Sequence, residues 1–265
     1  MISLEESKRI QYEILCEIHD FCIKNGLKYY LFYGTLLGAV RHNGFIPWDD
    51  DIDIVMPRED YEIFMKSFRH NYYVPICCTN NDKYYLPFGK VYDSRTYLQE
   101  HIKNSIPIGV YVDIFPLDNA SNDFNKNRTI AKKIKTKRNV LTINVLPGSK
   151  KRSFLKRTIH SFLSFLNIGK DANGISKRIN SLAMSFRKEK TTKCFAFSDL
   201  DSNSLKFIYD KKMFEPSLSL KFEKTYFNVP NRYDNILTMI YGDYMSFPPI
   251  DKQVSHHEYD AFVKK

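Results

Sequence analysis

Four aspartates fall within five consecutive positions, Asp49, Asp50, Asp51 and Asp53, and the run passes directly into the apolar stretch Ile54-Val55-Met56. No other feature limits the fold so much. Carboxylates this close repel one another strongly once water is removed, so the chain must leave them in solvent or supply a cation. Alternation from Asp51 to Met56 predicts a strand with Asp51 and Asp53 on one face, about 6.5–7 Å apart, and Ile52 and Ile54 turned to the core. Two carboxylates so placed converge on hard cations such as Mg2+, which take oxygen ligands from one or two carboxylates and from substrate phosphates. A pair of ions would clamp the attacking and leaving oxygens of a displacement at phosphorus. The plain alternative is a solvated acidic loop. Against it stand Pro47-Trp48 on one side of the cluster, a strand on the other, and an upstream Gly34-Thr35 turn whose amides can meet a phosphate.

The neighbouring sequence reads as alternating helices and short strands. Ser3-Leu4-Glu5-Glu6 is a capping box, and Ile10, Ile14, Leu15, Ile18 and Cys22 recur at helical spacing until Gly26. Aromatic-rich residues 28–33 predict a strand, and Gly34-Thr35 a sharp exit into a short helix over 36–42. Pro57 suits the first turn of a helix to about Phe68, with Tyr61, Phe64, Met65 and Phe68 on one side. Further strands are expected over 72–79, 88–92, 96–99 and 110–115, the last interrupted by Pro116. This order predicts an α/β or α+β domain on a small central sheet. Within it, Asp113 repeats the apolar-Asp-apolar pattern between Val112 and Ile114 and is the candidate third carboxylate, with an ordinary strand-end cap as the alternative.

The chain has 265 residues, enough for one large domain or a domain with a sizeable insertion. Its formal charge of +10 is uneven: residues 124–170 hold thirteen Lys or Arg and no acidic residue, leaving −3 for the rest. The basicity thus belongs to an insertion-like stretch, and nucleic acid is not an expected partner. The division expected is a catalytic core over 1–124, a basic, mainly helical insertion over 125–195, and a C-terminal part over 196–265 that completes the catalytic domain. The opening MISLEESKRI lacks the apolar region of a secretory signal, and Tyr29–Val40, twelve uncharged residues, is well short of the roughly 20 that span a bilayer. Five cysteines without a CxxC pair argue against a disulfide framework and a structural zinc site, so a reducing cytoplasm is expected.

The run from Tyr33 to Ile54, Tyr33-Gly34-Thr35-Leu36-Leu37-Gly38-Ala39-Val40-Arg41-His42-Asn43-Gly44-Phe45-Ile46-Pro47-Trp48-Asp49-Asp50-Asp51-Ile52-Asp53-Ile54, closely resembles the signature of the LicD family of phosphorylcholine transferases, related to fukutin and fukutin-related protein. Val112-Asp113-Ile114-Phe115-Pro116-Leu117-Asp118 and Tyr241-Gly242-Asp243-Tyr244-Met245, with Pro248-Pro249 and His256-His257, also look like that family. The resemblance covers about residues 5–118 and 220–258 and leaves out the basic middle. It implies a nucleotidyltransferase-like fold, a small mixed central sheet flanked by helices, in which Gly34-Thr35 meets nucleotide phosphates. Asp51, Asp53 and Asp113 would hold the metal, Mg2+ or Mn2+. The implied chemistry is attack by an acceptor sugar hydroxyl on the distal phosphorus of a CDP-alcohol, expelling CMP. Family members decorate bacterial surface glycans, typically with phosphocholine from CDP-choline; teichoic acid, lipopolysaccharide and capsule precursors are the acceptors in view. Related proteins use CDP-ribitol, so CDP-ribitol and CDP-glycerol stay open as donors.

Other candidates carry two readings each. Arg41 can clamp a phosphate or lie on the surface at a helix end. Lys90 can neutralise the diphosphate or be solvated. Trp48 is expected to pack beneath the aspartates rather than stack on a base, and His256 and His257 lack metal-ligand spacing. The basic insertion, with an apolar helical face over 153–166, is expected to hold the enzyme at the inner face of the cell membrane, where a lipid-linked glycan is presented. The bland reading packs that face on the catalytic domain. A non-catalytic membrane-surface adaptor is the competing class, weakened by the intact carboxylate set.

Overall fold

The computed structural model describes residues 1–100, 106–145, 171–199, 207–255 and 259–264. Helix α1 (Leu4–Asn25) starts where the capping box lies: the Ser3 hydroxyl accepts from the Glu6 N–H at 3.1 Å, and Gly26 closes the helix in the left-handed region at φ 64°. Its buried face is Ile10, Ile14, Leu15, Ile18 and Cys22, joined by the polar Ser7 and Gln11.

The central sheet runs β1 (Tyr30–Leu31), β2 (Asp53–Pro57), β6 (Tyr111–Ala120), β4 (Gly89–Asp93), β3 (Tyr73–Ile76). Strands β2 and β6 are parallel and the other pairs antiparallel. The far half of β6 takes a second partner, β7 (Lys193–Phe195), which pairs with β8 (Tyr209–Asp210). Strand β5 (Thr96–Glu100) pairs with the C-terminal β11 (Tyr259–Val263), and β9 (Leu218–Phe222) forms a hairpin with β10 (Thr225–Val229). The mixed α+β class expected from the sequence is the one found.

Three local expectations are corrected. Helix α2 spans Tyr33–His42, so the chain enters it at once from the two-residue β1. Strand β2 begins at Asp53, leaving Asp51 on the loop before it, so the two do not share a strand face. Pro116 does not interrupt β6. The Asp113 N–H donates to Ile52 O on the β2 side at 2.9 Å, so residues 114 and 116 face the other edge. There β4 stops at Ile114 and β7 starts at Asp118, and the proline's missing donor falls in the gap.

Helix α3 (Arg58–Ser67) buries Tyr61, Phe64 and Met65 together with a charged residue, Arg58. Its guanidinium grips Asp118 of β6 through two bonds of 2.7 and 2.8 Å and Asn180 of helix α5 (Ala172–Ala183) at 2.9 Å. Helix α4 (Phe124–Val145) packs on α5 around a second core of Ile134, Leu141, Ile175 and Ile179. Phe195 and Phe197 tie that core to the sheet edge. The basic middle is therefore helical where described, but residues 193–195 belong to the sheet rather than to helices. The apolar face expected over 153–166, and His256-His257, lie outside the described residues. Among the described residues no helix is long and apolar enough to cross a membrane. Helix α6 (Tyr233–Tyr241) lies against α2 and leads into the loop that faces the acidic cluster.

Candidate active site

Main-chain bonds fix the turn from β1 into α2 to the start of β2. Phe32 N–H donates to Asp53 O at 3.0 Å, and Asp53 N–H donates to the Thr35 hydroxyl at 2.8 Å. Tyr33 sits at φ 44°, a strained value for a bulky residue, and turns the chain so that α2 begins beside the aspartates. Helix α2 has no side-chain N-cap, and its first-turn amides lack helical acceptors, as a phosphate site requires. A Cβ at Gly34 would collide with the Asp49 carboxylate, so glycine is what lets the acidic loop lie this close.

The loop itself is anchored from α1. Lys8 Nζ donates to the carbonyls of Ile46 (3.2 Å) and Pro47 (3.1 Å), and buried Gln11 donates to Asp50 O at 2.9 Å. From the opposite end of the chain, Ser255 bonds the Asp50 carboxylate. Held in this way, the carboxylate oxygens of Asp49, Asp50 and Asp51 come within 4.8 Å of one another.

Asp53, Asp113 and Lys90 form a row across three strands. Asp53 is the register partner of Asp113 on parallel β2 and β6, and Lys90 is the partner of Asp113 on antiparallel β4. Cross-strand partners present their side chains on the same face. Lys90 Nζ lies 2.5 Å from Asp113 Oδ1, and both residues are buried. Burial, then repulsion from Asp51, Asp113, Asp199 and Asp49, pushes the Asp53 carboxyl well above its ordinary range. Asp49 is also raised, chiefly by burial, while its hydrogen bond with Asp51 acts the other way. Such an oxygen-rich set, crowded enough to resist full ionisation, fits a hard divalent cation.

A cleft of about 690 Å³ opens onto this cluster. Tyr33, Gly34, Asp49, Asp51 and Asp53 form one side, and Tyr241, Asp243, Tyr244, Phe247 and Lys252 the other. Arg41 crosses between them, donating to Tyr244 O at 2.9 Å and lying 4.6 Å over the Phe247 ring. Trp48 is half-buried in the same wall, 6.2 Å from Phe247 between ring centres.

Of the residues chosen from sequence, Gly34, Arg41, Asp51 and Asp53 line the cleft. Thr35 stands one layer behind, holding the Asp53 amide. Asp113 and Lys90 stand behind Asp53 in the row. From sequence Lys90 either neutralises the donor's diphosphate or is solvated; the structure buries it on β4 with its ammonium on Asp113, outside the residues that line the cleft. Several residues escape sequence reasoning. Lys8 and Gln11 lie on a helix that otherwise reads as scaffold, and Lys252 follows an unremarkable loop. Asp199, in a 3-10 turn after β7, hydrogen-bonds Tyr33 and adds to the field on Asp53. In sequence it stands in Phe197-Ser198-Asp199, without the apolar-Asp-apolar pattern that marks Asp113.

The family model for the LicD/FKTN/FKRP nucleotidyltransferase domain matches residues 26–161. It therefore runs into the basic segment that the motif resemblance leaves out. The lipopolysaccharide cholinephosphotransferase LicD of Haemophilus influenzae is 28% identical over 278 residues, covering 99% of this chain and 98% of its own length. Uncharacterized proteins of Rickettsia typhi and Rickettsia prowazekii match short stretches, 47% over 58 residues and 51% over 49, less than a fifth of each of their lengths.

Proposed function

This chain belongs to the LicD/FKTN/FKRP nucleotidyltransferase family, and from that premise we propose that it transfers phosphocholine from CDP-choline to a sugar hydroxyl of a bacterial surface glycan. The full-length similarity to a lipopolysaccharide cholinephosphotransferase supports lipopolysaccharide as the first acceptor to try, ahead of teichoic acid or capsule precursors. One observation carries the reading: Asp51 and Asp53 face the cleft directly beneath the uncapped start of α2, with Asp113 beside Asp53 in the strand row.

In this reading the Gly34 and Thr35 amides receive the diphosphate, and Arg41, held by the Tyr244 carbonyl, orients its guanidinium along the same wall. Asp51, Asp53 and Asp113 are the residues that would hold Mg2+, with Mn2+ as a substitute. When bound, the ion supplies positive charge at the diphosphate and the developing oxyanion. The acceptor oxygen forms a new ester bond to the distal phosphorus as the bond to CMP breaks, and the hydroxyl proton passes to Asp53, the carboxylate of the row that faces the cleft. The aromatic wall of Trp48, Tyr241 and Phe247 shields the site from water.

The test is CMP release from CDP-choline, CDP-ribitol and CDP-glycerol with purified lipopolysaccharide acceptor, with Mg2+ or with EDTA. CMP release that needs both acceptor and metal and favours CDP-choline is expected. Nucleotide found on the acceptor would overturn the chemistry, and sole use of CDP-ribitol or CDP-glycerol would overturn the choline specificity.

A further inference from the structure

The chain that leaves α6 builds the wall of the cleft opposite the aspartates, and exposed apolar side chains crowd onto it. Among the described residues fifteen large hydrophobic side chains are exposed, and six of them, Met239, Tyr241, Met245, Phe247, Ile250 and Val254, fall within residues 239–254. Tyr241 and Phe247 line the cleft itself. Met245, Ile250 and Val254 do not, but each stands two positions from a lining residue, Phe247 or Lys252, and so within about 7–8 Å of it along the chain. They therefore rim the cleft mouth, with Met245 55% exposed, Ile250 86% and Val254 52%. Single exposed apolar residues are ordinary; a group of them at the edge of a substrate cleft marks a binding surface.

The rim is held by its own bonds. Arg41 donates to Tyr244 O at 2.9 Å and to Ser246 O at 3.4 Å, the Lys252 and Gln253 amides donate to Pro249 O and Ile250 O, and the Gln253 side chain donates to Pro248 O at 2.9 Å. Ser255 fastens the far end to Asp50. The apolar side chains are thus presented on a fixed main chain, which lowers the cost of ordering a ligand on them. Charge decides what kind of apolar partner fits. Residues 239–255 set Asp243 and Asp251 against Lys252, a net charge of −1, so this surface does not attract the anionic headgroups of a bilayer and suits an uncharged hydrocarbon. In the transferase reading the donor's diphosphate takes the start of α2, which leaves the facing wall to the acceptor.

We propose that Met245, Ile250 and Val254 seat the hydrocarbon portion of the acceptor, so that the substrate class is a glycan carried on a lipid and not the free glycan. This rests on the transferase reading above and deepens it. The sugar hydroxyl enters the cleft beside Asp53 while the hydrocarbon that carries the glycan lies along the rim.

The experiment measures CMP release with CDP-choline and Mg2+, using purified lipopolysaccharide and the same material after chemical deacylation, for the parent and for the triple variant Met245→Ser, Ile250→Ser, Val254→Ser. All three side chains are exposed, so the variant is expected to unfold at the parent's temperature. Its KM for the acylated acceptor is expected to rise at least about tenfold, since covering half of each apolar side chain is worth that much. Its kcat, its KM for CDP-choline and its KM for the deacylated acceptor are expected to stay at the parent's values. A parent-like KM for the acylated acceptor overturns the proposal, as does an equal rise for both acceptors, which would mark a glycan contact or general damage. Flotation with anionic vesicles is expected to be the same for both proteins; binding lost in the variant with KM unchanged would make the rim a bilayer contact and overturn the proposal. Failure of the parent to release CMP with either acceptor overturns the transferase reading itself.

Discussion

Replacing Asp53 by Asn should stabilise the metal-free protein while abolishing transfer, and the size of the gain follows from the strand row. Neighbouring strands lie about 4.8 Å apart, which puts the carboxylates of Asp53 and Asp113 roughly 5 Å from each other. Two such charges repel by about 3 kcal/mol at an effective dielectric constant of about 20. Lys90, bound to the far side of Asp113, offsets about half of this, leaving about 1–2 kcal/mol. The unfolded chain loses the Asp53 proton near pH 3.9, whereas burial and four neighbouring carboxylates make the folded chain keep it to higher pH. Between those values the folded state binds more protons than the unfolded one, so the stability of the metal-free protein falls as pH rises. Asn removes that slope. Thermal unfolding in EDTA should thus give matching midpoints for the two proteins near pH 4 and a midpoint about 3–6 °C higher for Asp53→Asn at pH 8. Mg2+ should raise the midpoint of the parent and scarcely move the variant. A lower midpoint for the variant at pH 8, an equal response to Mg2+, or CMP release above a tenth of the parent rate would each refute the reasoning.

The ion pair between Arg58 and Asp118 is buried at both ends and joins α3, β6 and α5, so Arg58→Met should cost about 3–5 kcal/mol in urea unfolding. Adding Asp118→Leu should restore most of that loss; a loss under about 1 kcal/mol for the single change would show the pair to be dispensable. Helix α4 exposes Lys126, Arg128, Lys132, Lys133 and Lys135, and each basic residue near an anionic surface contributes about 1 kcal/mol. Flotation should therefore show binding to anionic vesicles that weakens as salt rises and is lost when Lys132, Lys133 and Lys135 become Gln, whereas no binding at low salt would end the membrane reading.

What the sequence made legible was local. The capping box, the five-residue buried stripe of α1 and the Gly26 stop all depend on neighbours within a turn or two, and the structure has them where spacing places them. The α+β class followed from the same kind of signal, and so did the family, since one continuous run carries Gly34, Thr35, Arg41, Asp51 and Asp53. Errors appeared where a distant partner decides the outcome. Alternation cannot tell that Asp51 lies on a loop, because that loop is fixed by Gln11 and by Ser255, residues 39 and 205 positions from Asp50. Pro116 reads as a strand breaker until the gap between β4 and β7 is known. A lone lysine in Gly89-Lys90-Val91 reads as solvated until β4 is set against β6.

The same distinction explains how the site is built. The motif supplies the carboxylates, but their spacing is set by chain segments that contribute no ligand: Lys8 and Gln11 hold the loop carbonyls, Thr35 holds the Asp53 amide, and Ser255 holds Asp50. None of these bonds offers charge to a donor, yet each restrains a carboxylate that repulsion from its neighbours would displace. A cluster this crowded keeps its geometry only if the main chain carrying it is fixed from several directions. Here α1 supports it from one side, the β2–β6 ladder from beneath, and the segment after α6 closes the cleft from the other. Substitutions at Lys8 or Gln11 would therefore weaken ion binding without removing a ligand, a consequence that the aspartate motif by itself does not contain.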